Sequence, residues 1–356
     1  MGEQSVTERI CFGIVNNPST SKNAGQKAPT DAIHIATQNC GYSLLPFFFP
    51  GSEFKIGAIR PLLEAKVMAA IRKLKGSIIF INYPFTLASL IHYGYASLCK
   101  RNKVILLIHD IDFLRGKDCN RQLTLTQLKQ AACLIVHNER QMDYLRQSGV
   151  DTPMIPLELF DYLLPDVAKP IMPRQFTKSV AFVGNLTKSP FIAQWIGQNR
   201  TYSIEIIGAC SSDSLRTQME NSGCYKGSFL PEEVPYKVKS SFGLIWDGAS
   251  VDSCSGGSDT CKESGEYLKY NNPHKASLYI ACGIPIIIWS QAAMADFVLR
   301  NGIGFVIDSL SDMESILKSM TEEDYQKMLA NIQPIRERAI NGKYLEDALK
   351  KAESLI

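Results

Sequence analysis

GEYLKYNNPHKASLYIACGIPIIIW, residues 265–289, holds a helix start, a helix stop and a buried strand in one short run. Asn272 and Pro273 fit the entry to a helix, His274 and Lys275 fall in its first turn, and Gly283 closes it. IPIII then reads as a buried strand. Lysine in a first turn opposes the helix dipole, so a bound anion explains Lys275 better than helix stability does.

Outward from this unit the same alternation recurs. Short β-branched runs at 10–15, 77–82, 104–108 and 133–137, with a fainter one near 43–48, are separated by helix-length amphipathic segments. PLLEAKVMAAIRKLK sets Leu63, Val67, Ile71 and Leu74 on one helical face. Five prolines within 153–173 point to a linker there. Strand-like runs resume at 179–184, 203–208, 243–246, 284–289 and 304–307, and from about 312 the chain turns helical and charged. The expected fold class is α/β: two Rossmann-like domains facing a cleft, over 1–165 and 166–335, with a C-terminal helix over 336–356 packing back on the first.

Composition agrees with two ordinary domains. The chain has 356 residues, 45% hydrophobic and 21% charged. Its 38 basic residues against 35 acidic leave a net +3, too little for a protein built to coat a polyanion, so nucleic acid is not an expected partner. Ten cysteines form no Cys-x-x-Cys pair and suit a reducing compartment. The start MGEQSVTERICFGIV lacks a basic n-region, and no apolar run is long enough to span a membrane. A cytoplasmic protein is expected. Arg60, Lys66, Arg72, Lys73 and Lys75, followed by Lys100, Arg101 and Lys103, add an expectation of peripheral contact with the inner face of the cell membrane.

Ligands in such folds sit beyond the carboxyl ends of the strands. After the first strand, NNPSTSKNAGQKAPTDAIHIA opens with Asn16 and enters a helix at about Ala28, bringing Asn23, Gly25 and Lys27 near its start. VILLIHDIDFLRG carries His109 and Asp110 to the cleft, where an imidazole and a carboxylate can take a proton from a sugar hydroxyl; Asp112 and the His137, Asn138, Glu139 run rank behind them. In the second half, Gly184, Asn185 and Lys188 follow one strand and Asp247 another. Backbone amides with an ammonium suit a diphosphate. Gly-x-Gly-x-x-Gly is absent, which argues against a dinucleotide-dependent oxidoreductase or epimerase.

These residues resemble bacterial glycosyltransferases of the GT-B fold, within them the galactofuranosyltransferase-like group of surface polysaccharide biosynthesis. The carriers are NAGQKAPTDAIHIA, FINYPF, VILLIHDIDFLR, FVGNLTKSPF, GLIWDG and, most specifically, residues 265–289. The resemblance implies a donor-binding second domain and an acceptor-binding first domain. Lys188 and Lys275 would grip the diphosphate; Tyr270, Asn271, Asn272 and Pro273 would shape the nucleotide-sugar pocket; Asn16, Asn23, Gly25 and Lys27 would line the acceptor side. Many retaining GT-B members carry two Glu separated by seven residues, but Lys269 or Tyr270 and Ser277 or Leu278 stand at those places here. An inverting transfer is therefore expected, with His109 and Asp110 as the catalytic pair. With two lysines to neutralise the leaving group, no metal and no cofactor beyond the UDP-sugar is required.

The expected partners are a UDP-sugar and a glycan acceptor, lipid-linked if the basic cluster meets a membrane. The sequence leaves open the oligomeric state, the hexose, with glucose the alternative to galactofuranose, and a pairing of Cys254 with Cys261 in the Gly- and Ser-rich run 251–266. A catalytically silent partner protein of the same fold is the competing expectation, disfavoured because it has no need of Lys188 and Lys275.

Overall fold

The structure is a computed structural model that describes residues 7–14, 24–47, 60–85, 94–116, 120–164, 174–255 and 265–356. Strands β1 (Arg9–Ile14), β2 (Ser43–Phe47), β3 (Ile78–Tyr83), β4 (Lys103–Ile108), β5 (Cys133–Val136) and β6 (Met154–Pro156) form one sheet, ordered β2-β1-β3-β4-β5-β6. Every pairing is parallel. A second parallel sheet of β7 (Ser179–Val183), β8 (Ser203–Ile207), β9 (Phe242–Ile245), β10 (Ile286–Trp289) and β11 (Gly304–Ile307) runs β11-β10-β9-β7-β8.

The strands are apolar runs rather than alternating ones because both faces of each sheet are covered. On β4, Val104, Leu106 and Ile108 join one apolar cluster and Ile105 and Leu107 the other. Each such side chain contributes roughly 1.5–3 kcal/mol on burial.

At its start the proline-rich segment is a strand rather than the expected linker. Residues 154–156 pair with β5, with Val136 opposite Pro156, and form the sheet's sixth strand. Pro156 is tolerated because β6 is an edge strand, where a missing N–H breaks no ladder on the outer side. Residues 165–173 lie outside the described residues.

Past the second sheet, Thr321 and Asp324 form a capping box that starts the helix Glu322–Ile340. Gly342, at φ +73°, turns the chain where a Cβ would sit 2.6 Å from Ile35, and the helix Lys343–Ser354 then lies along the helix Lys27–Asn39. Glu353 accepts from Arg9 at 2.7 Å and from the Tyr42 hydroxyl at 2.8 Å. The buried Asp161 carboxyl group accepts from the backbone N–H of Tyr344 (3.1 Å) and Leu345 (2.8 Å), satisfying two free donors at that helix start. The last helix therefore ties the chain's end to the first sheet.

No helix among the described residues is long and apolar enough to cross a membrane.

Candidate active site

The carboxyl ends of both sheets meet along one seam. On the second sheet's side, Lys275 lies in the first turn of the helix His274–Ala281, and its Nζ stands 2.5 Å from Asp247 Oδ1, just past the end of β9. The same ammonium lies 4.6 Å from the centre of the Phe182 ring. The partner of this lysine within the protein is thus a carboxylate of the chain. Gly184, following β7, makes room: a Cβ there would come within 3.0 Å of Lys275 Cε. Its carbonyl in turn packs against Gly208 so closely that only glycine fits, a Cβ at Gly208 lying 1.8 Å from that oxygen. Asn185 accepts from the N–H of Thr187 and opens the short turn Leu186–Lys188, whose last residue, Lys188, is exposed.

On the first sheet's side, His109 and His137 follow the neighbouring strands β4 and β5. Asn82 Nδ2 donates to the Pro29 carbonyl at 3.3 Å, so its Oδ1 accepts from His109 Nε2 at 2.8 Å. That puts the imidazole proton on Nε2. The Asp110 carboxylate is held by Arg115 at 2.5 Å and by the Tyr267 hydroxyl, which also accepts from the N–H of Ile111 at 3.2 Å. Tyr267 belongs to residues 265–289, so the segment bearing Lys275 also touches the segment bearing Asp110. Asp110 and Asp112 have Asp-x-Asp spacing; Asp112 opens the turn Asp112–Arg115.

Asn272 is built into the seam. Its backbone N–H donates to His137 Nδ1 at 2.7 Å, its Nδ2 donates to the carbonyls of His137 (2.5 Å) and Glu158 (2.9 Å), and its Oδ1 accepts from Asn138 Nδ2 at 2.7 Å. Asn138 Nδ2 also reaches the Tyr270 carbonyl at 3.0 Å, and the Tyr270 ring packs edge-on to Tyr144. Pro273 is buried, and Asn271 has a buried Oδ1 without a partner. Tyr270 and Asn271 remain partly exposed, whereas the Asn272 side chain is fully engaged inside the protein.

Lys27 is likewise turned inward. Its ammonium holds both Asp31 oxygens at 2.6 Å and the Leu163 carbonyl at 2.7 Å, over the Tyr162 ring. Gly25 lies beside it in the turn Ala24–Gln26, exposed. Asn16 and Asn23 lie outside the described residues, as does Cys261; Cys254 is a buried free thiol whose proton affinity burial pushes up.

Phe160 gathers three imidazoles: His109 stacked at 5.4 Å, His137 edge-on at 4.9 Å and His274 edge-on at 6.3 Å. Burial, then the charges of His137 and His274, pushes His109 down to about 3. Burial likewise lowers His137 to about 4, and burial with the nearby Lys27 lowers His274 to about 4. All three are neutral at pH 7. With its Nε2 proton given to Asn82, His109 is a weak base, and the Asp110 carboxylate stands beside it at the strand exit.

Sequence reasoning missed Asn82, Arg115, Phe160 and Tyr267. FINYPF contains Asn82, but no spacing links it to His109. A groove of about 860 Å³ lined by Ser179, Ser203, Arg200 and Lys237 opens at the amino ends of β7 and β8, away from these groups.

Comparison with known proteins places this geometry. Residues 13–159 match the model of the glucosyltransferase 3-like N-terminal domain, and residues 180–352 match that of the glucosyltransferase 3-like C-terminal domain. The beta-1,6-galactofuranosyltransferase WbbI of Escherichia coli (strain K12) is 30% identical over 93% of this chain and 94% of its own. Glucosyltransferase 3 of Streptococcus gordonii is 26% identical over 71% of this chain and 72% of its own. Among solved structures, a sucrose-phosphate synthase from Thermosynechococcus elongatus superimposes with a TM-score of 0.63 at 14% identity, covering 98% of both chains. Anabaena Alr3699/HepE, solved with UDP and glucose, gives 0.56 at 14% identity over 99% of this chain and 100% of its own. With both halves matched in order and a 30% identical relative spanning nearly all of it, the chain belongs to the glucosyltransferase 3-like family and is a glycosyltransferase of the GT-B fold.

Proposed function

We propose that this glycosyltransferase moves a hexose, galactofuranose, from a UDP-linked donor to a hydroxyl of a surface-polysaccharide acceptor, with inversion and without a metal. The observation that carries the reading is the seam itself: the segment bearing Lys275 touches, through Tyr267, the strand exit bearing Asp110. The second domain takes the donor and the first the acceptor. The Asp110 carboxylate accepts the proton of the acceptor hydroxyl while that oxygen bonds to the anomeric carbon. The carbon–oxygen bond to the diphosphate breaks, and UDP leaves with the electron pair. Lys275 and Lys188 neutralise the charge that develops, as cationic groups at developing phosphate charge do. Arg115 and Tyr267 orient Asp110, and neutral His109, held by Asn82, stands beside it.

Support for galactofuranose comes from the 30% identical relative; glucose is the second reading, supported by the streptococcal relative. Inversion is supported by Lys269, Tyr270, Ser277 and Leu278 at the places of the retaining Glu pair. The exposed Lys66, Arg72, Lys73, Lys75, Lys100 and Lys103 support a lipid-linked acceptor met at an anionic membrane surface.

The test is incubation with UDP-galactofuranose or UDP-glucose and a set of alkyl hexosides, read by mass spectrometry for the gain of one hexose and by NMR for anomeric configuration. A gain from UDP-galactofuranose with inverted configuration is expected. UDP binding without transfer from either donor would favour the silent-partner reading.

A further inference from the structure

We infer that Asn272 and His137 form a positioning relay that sets the acceptor-side strand exit against the donor-side helix, so that turnover depends on them while UDP binding does not. The relay rests on the transfer reading. Its geometry starts from the tautomer of His137. The Asn272 backbone N–H donates to Nδ1, which must therefore be bare, so Nε2 carries the proton and donates to the His109 carbonyl at 3.1 Å. One imidazole is thus bonded to the donor segment on one side and to the residue next to Asp110 on the other.

Asn272 uses its remaining groups to make that contact rigid. Its two Nδ2 bonds and one Oδ1 bond go to His137, Glu158 and Asn138, all of the first domain. Asn138 is itself pinned, its Oδ1 accepting from the N–H of Gln141 at the start of the helix Glu139–Gln147. Three residues along the chain from Asn272 stands Lys275, bonded to Asp247. The distance between leaving-group cation and acceptor-side carboxylate is therefore set through buried groups of fixed hydrogen-bond direction. None of them has a polar atom to spare for substrate. A misplacement of about 1 Å in such a site costs about a hundredfold in rate.

The test uses the full chain and three variants. Asn272→Asp turns an oxygen toward the His137 and Glu158 carbonyls. His137→Asn keeps an acceptor near Nδ1 but loses the bond to His109. His137→Gln keeps a donor near Nε2 but loses the bond from Asn272. A relay predicts that each lowers kcat tenfold to a hundredfold with UDP-galactofuranose and an alkyl hexoside, while the UDP dissociation constant by calorimetry stays within twofold. Both half-mimics of His137 must fail, since a relay needs both nitrogens. A kcat within threefold of the parent in Asn272→Asp overturns the inference. So does a UDP affinity that falls in step with kcat, because that would make Asn272 part of the donor pocket. Hydrogen exchange without substrate separates the two readings: the amides of Ile111 and residue 272, which donate across the seam, should exchange faster in Asn272→Asp. If the parent transfers no hexose, the proposed function fails, and unchanged exchange at those amides in that variant would overturn the relay on its own.

Discussion

Lys275 Nζ lies 2.5 Å from Asp247 Oδ1, a contact across 28 residues that joins the first turn of one helix to the end of β9. The ion pair is only partly buried, with side chains 19% and 28% exposed, so a diphosphate can approach the same ammonium. Replacing Lys275 with Ala should weaken UDP binding by roughly tenfold to a hundredfold, the equivalent of a charge-assisted hydrogen bond of about 1.5–3 kcal/mol. Calorimetry with UDP reads it directly, and an unchanged affinity would remove Lys275 from the donor site.

Proton transfer should separate from donor binding. A positioned base contributes about a hundredfold to ten-thousandfold, so Asp110→Asn should lower kcat by that order and leave UDP affinity intact. His109→Gln, which keeps an N–H donor for Asn82, should cost less. A larger loss at His109 than at Asp110 would exchange their roles.

Metal removal tests Asp110 and Asp112 together. If the lysines carry the leaving group, transfer should persist in excess EDTA at the parent rate. Loss of turnover restored by added magnesium or manganese would assign the Asp-x-Asp pair to a metal.

Acid should act through the histidine cluster. His274 is pushed down to about 4 from its ordinary 6.5, so as pH falls below 6.5 the unfolded chain takes up the proton first and stability is lost until about pH 4. Asp31 and Asp161, pushed by burial up to about 6 and about 8, shift with the opposite sign and gain stability on acidification. The observable is therefore a difference: between pH 7 and pH 5 the parent should lose about 2 kcal/mol relative to His274→Gln in urea unfolding. Equal pH dependence in the two would mean that the imidazole stays solvated.

The last helix offers a stability test apart from the site. Asp161→Ala leaves the N–H groups of Tyr344 and Leu345 without their acceptor, which should cost about 1–3 kcal/mol in urea unfolding. Asp161→Asn, which keeps one acceptor oxygen, should lose less.

Anionic vesicles test the basic cluster. At low salt the protein should co-sediment with vesicles rich in phosphatidylserine, and added salt should release it. Absence of binding at low salt would remove the membrane from the proposal and leave the transfer reaction untouched.

Much of the architecture was readable because it is local. Apolar runs such as VILLI and IPIII, with polar residues and glycine or proline at their ends, announce strands whatever they pair with, and Gly283 announces the end of a helix within a few residues of its start. Even there Pro156 stands in a strand, because a proline forbids a central strand and not an edge one, and only the pairing partner says which is meant. The resemblance carried the family and the general position of Lys275 and Asp110. What each side chain does was decided by tertiary structure. Lys27 read as a cation at a helix start, but a buried Asp31 and the Leu163 carbonyl surround it. Asn272 read as part of a sugar pocket, yet its partners His137 and Asn138 lie more than a hundred residues away in the other domain. Periodicity and capping follow from the geometry of one backbone segment and its neighbours along the chain. A hydrogen bond across the seam exists only once the carboxyl ends of two sheets have been brought together, and nothing in the spacing of residues along one segment encodes which groups will then face each other.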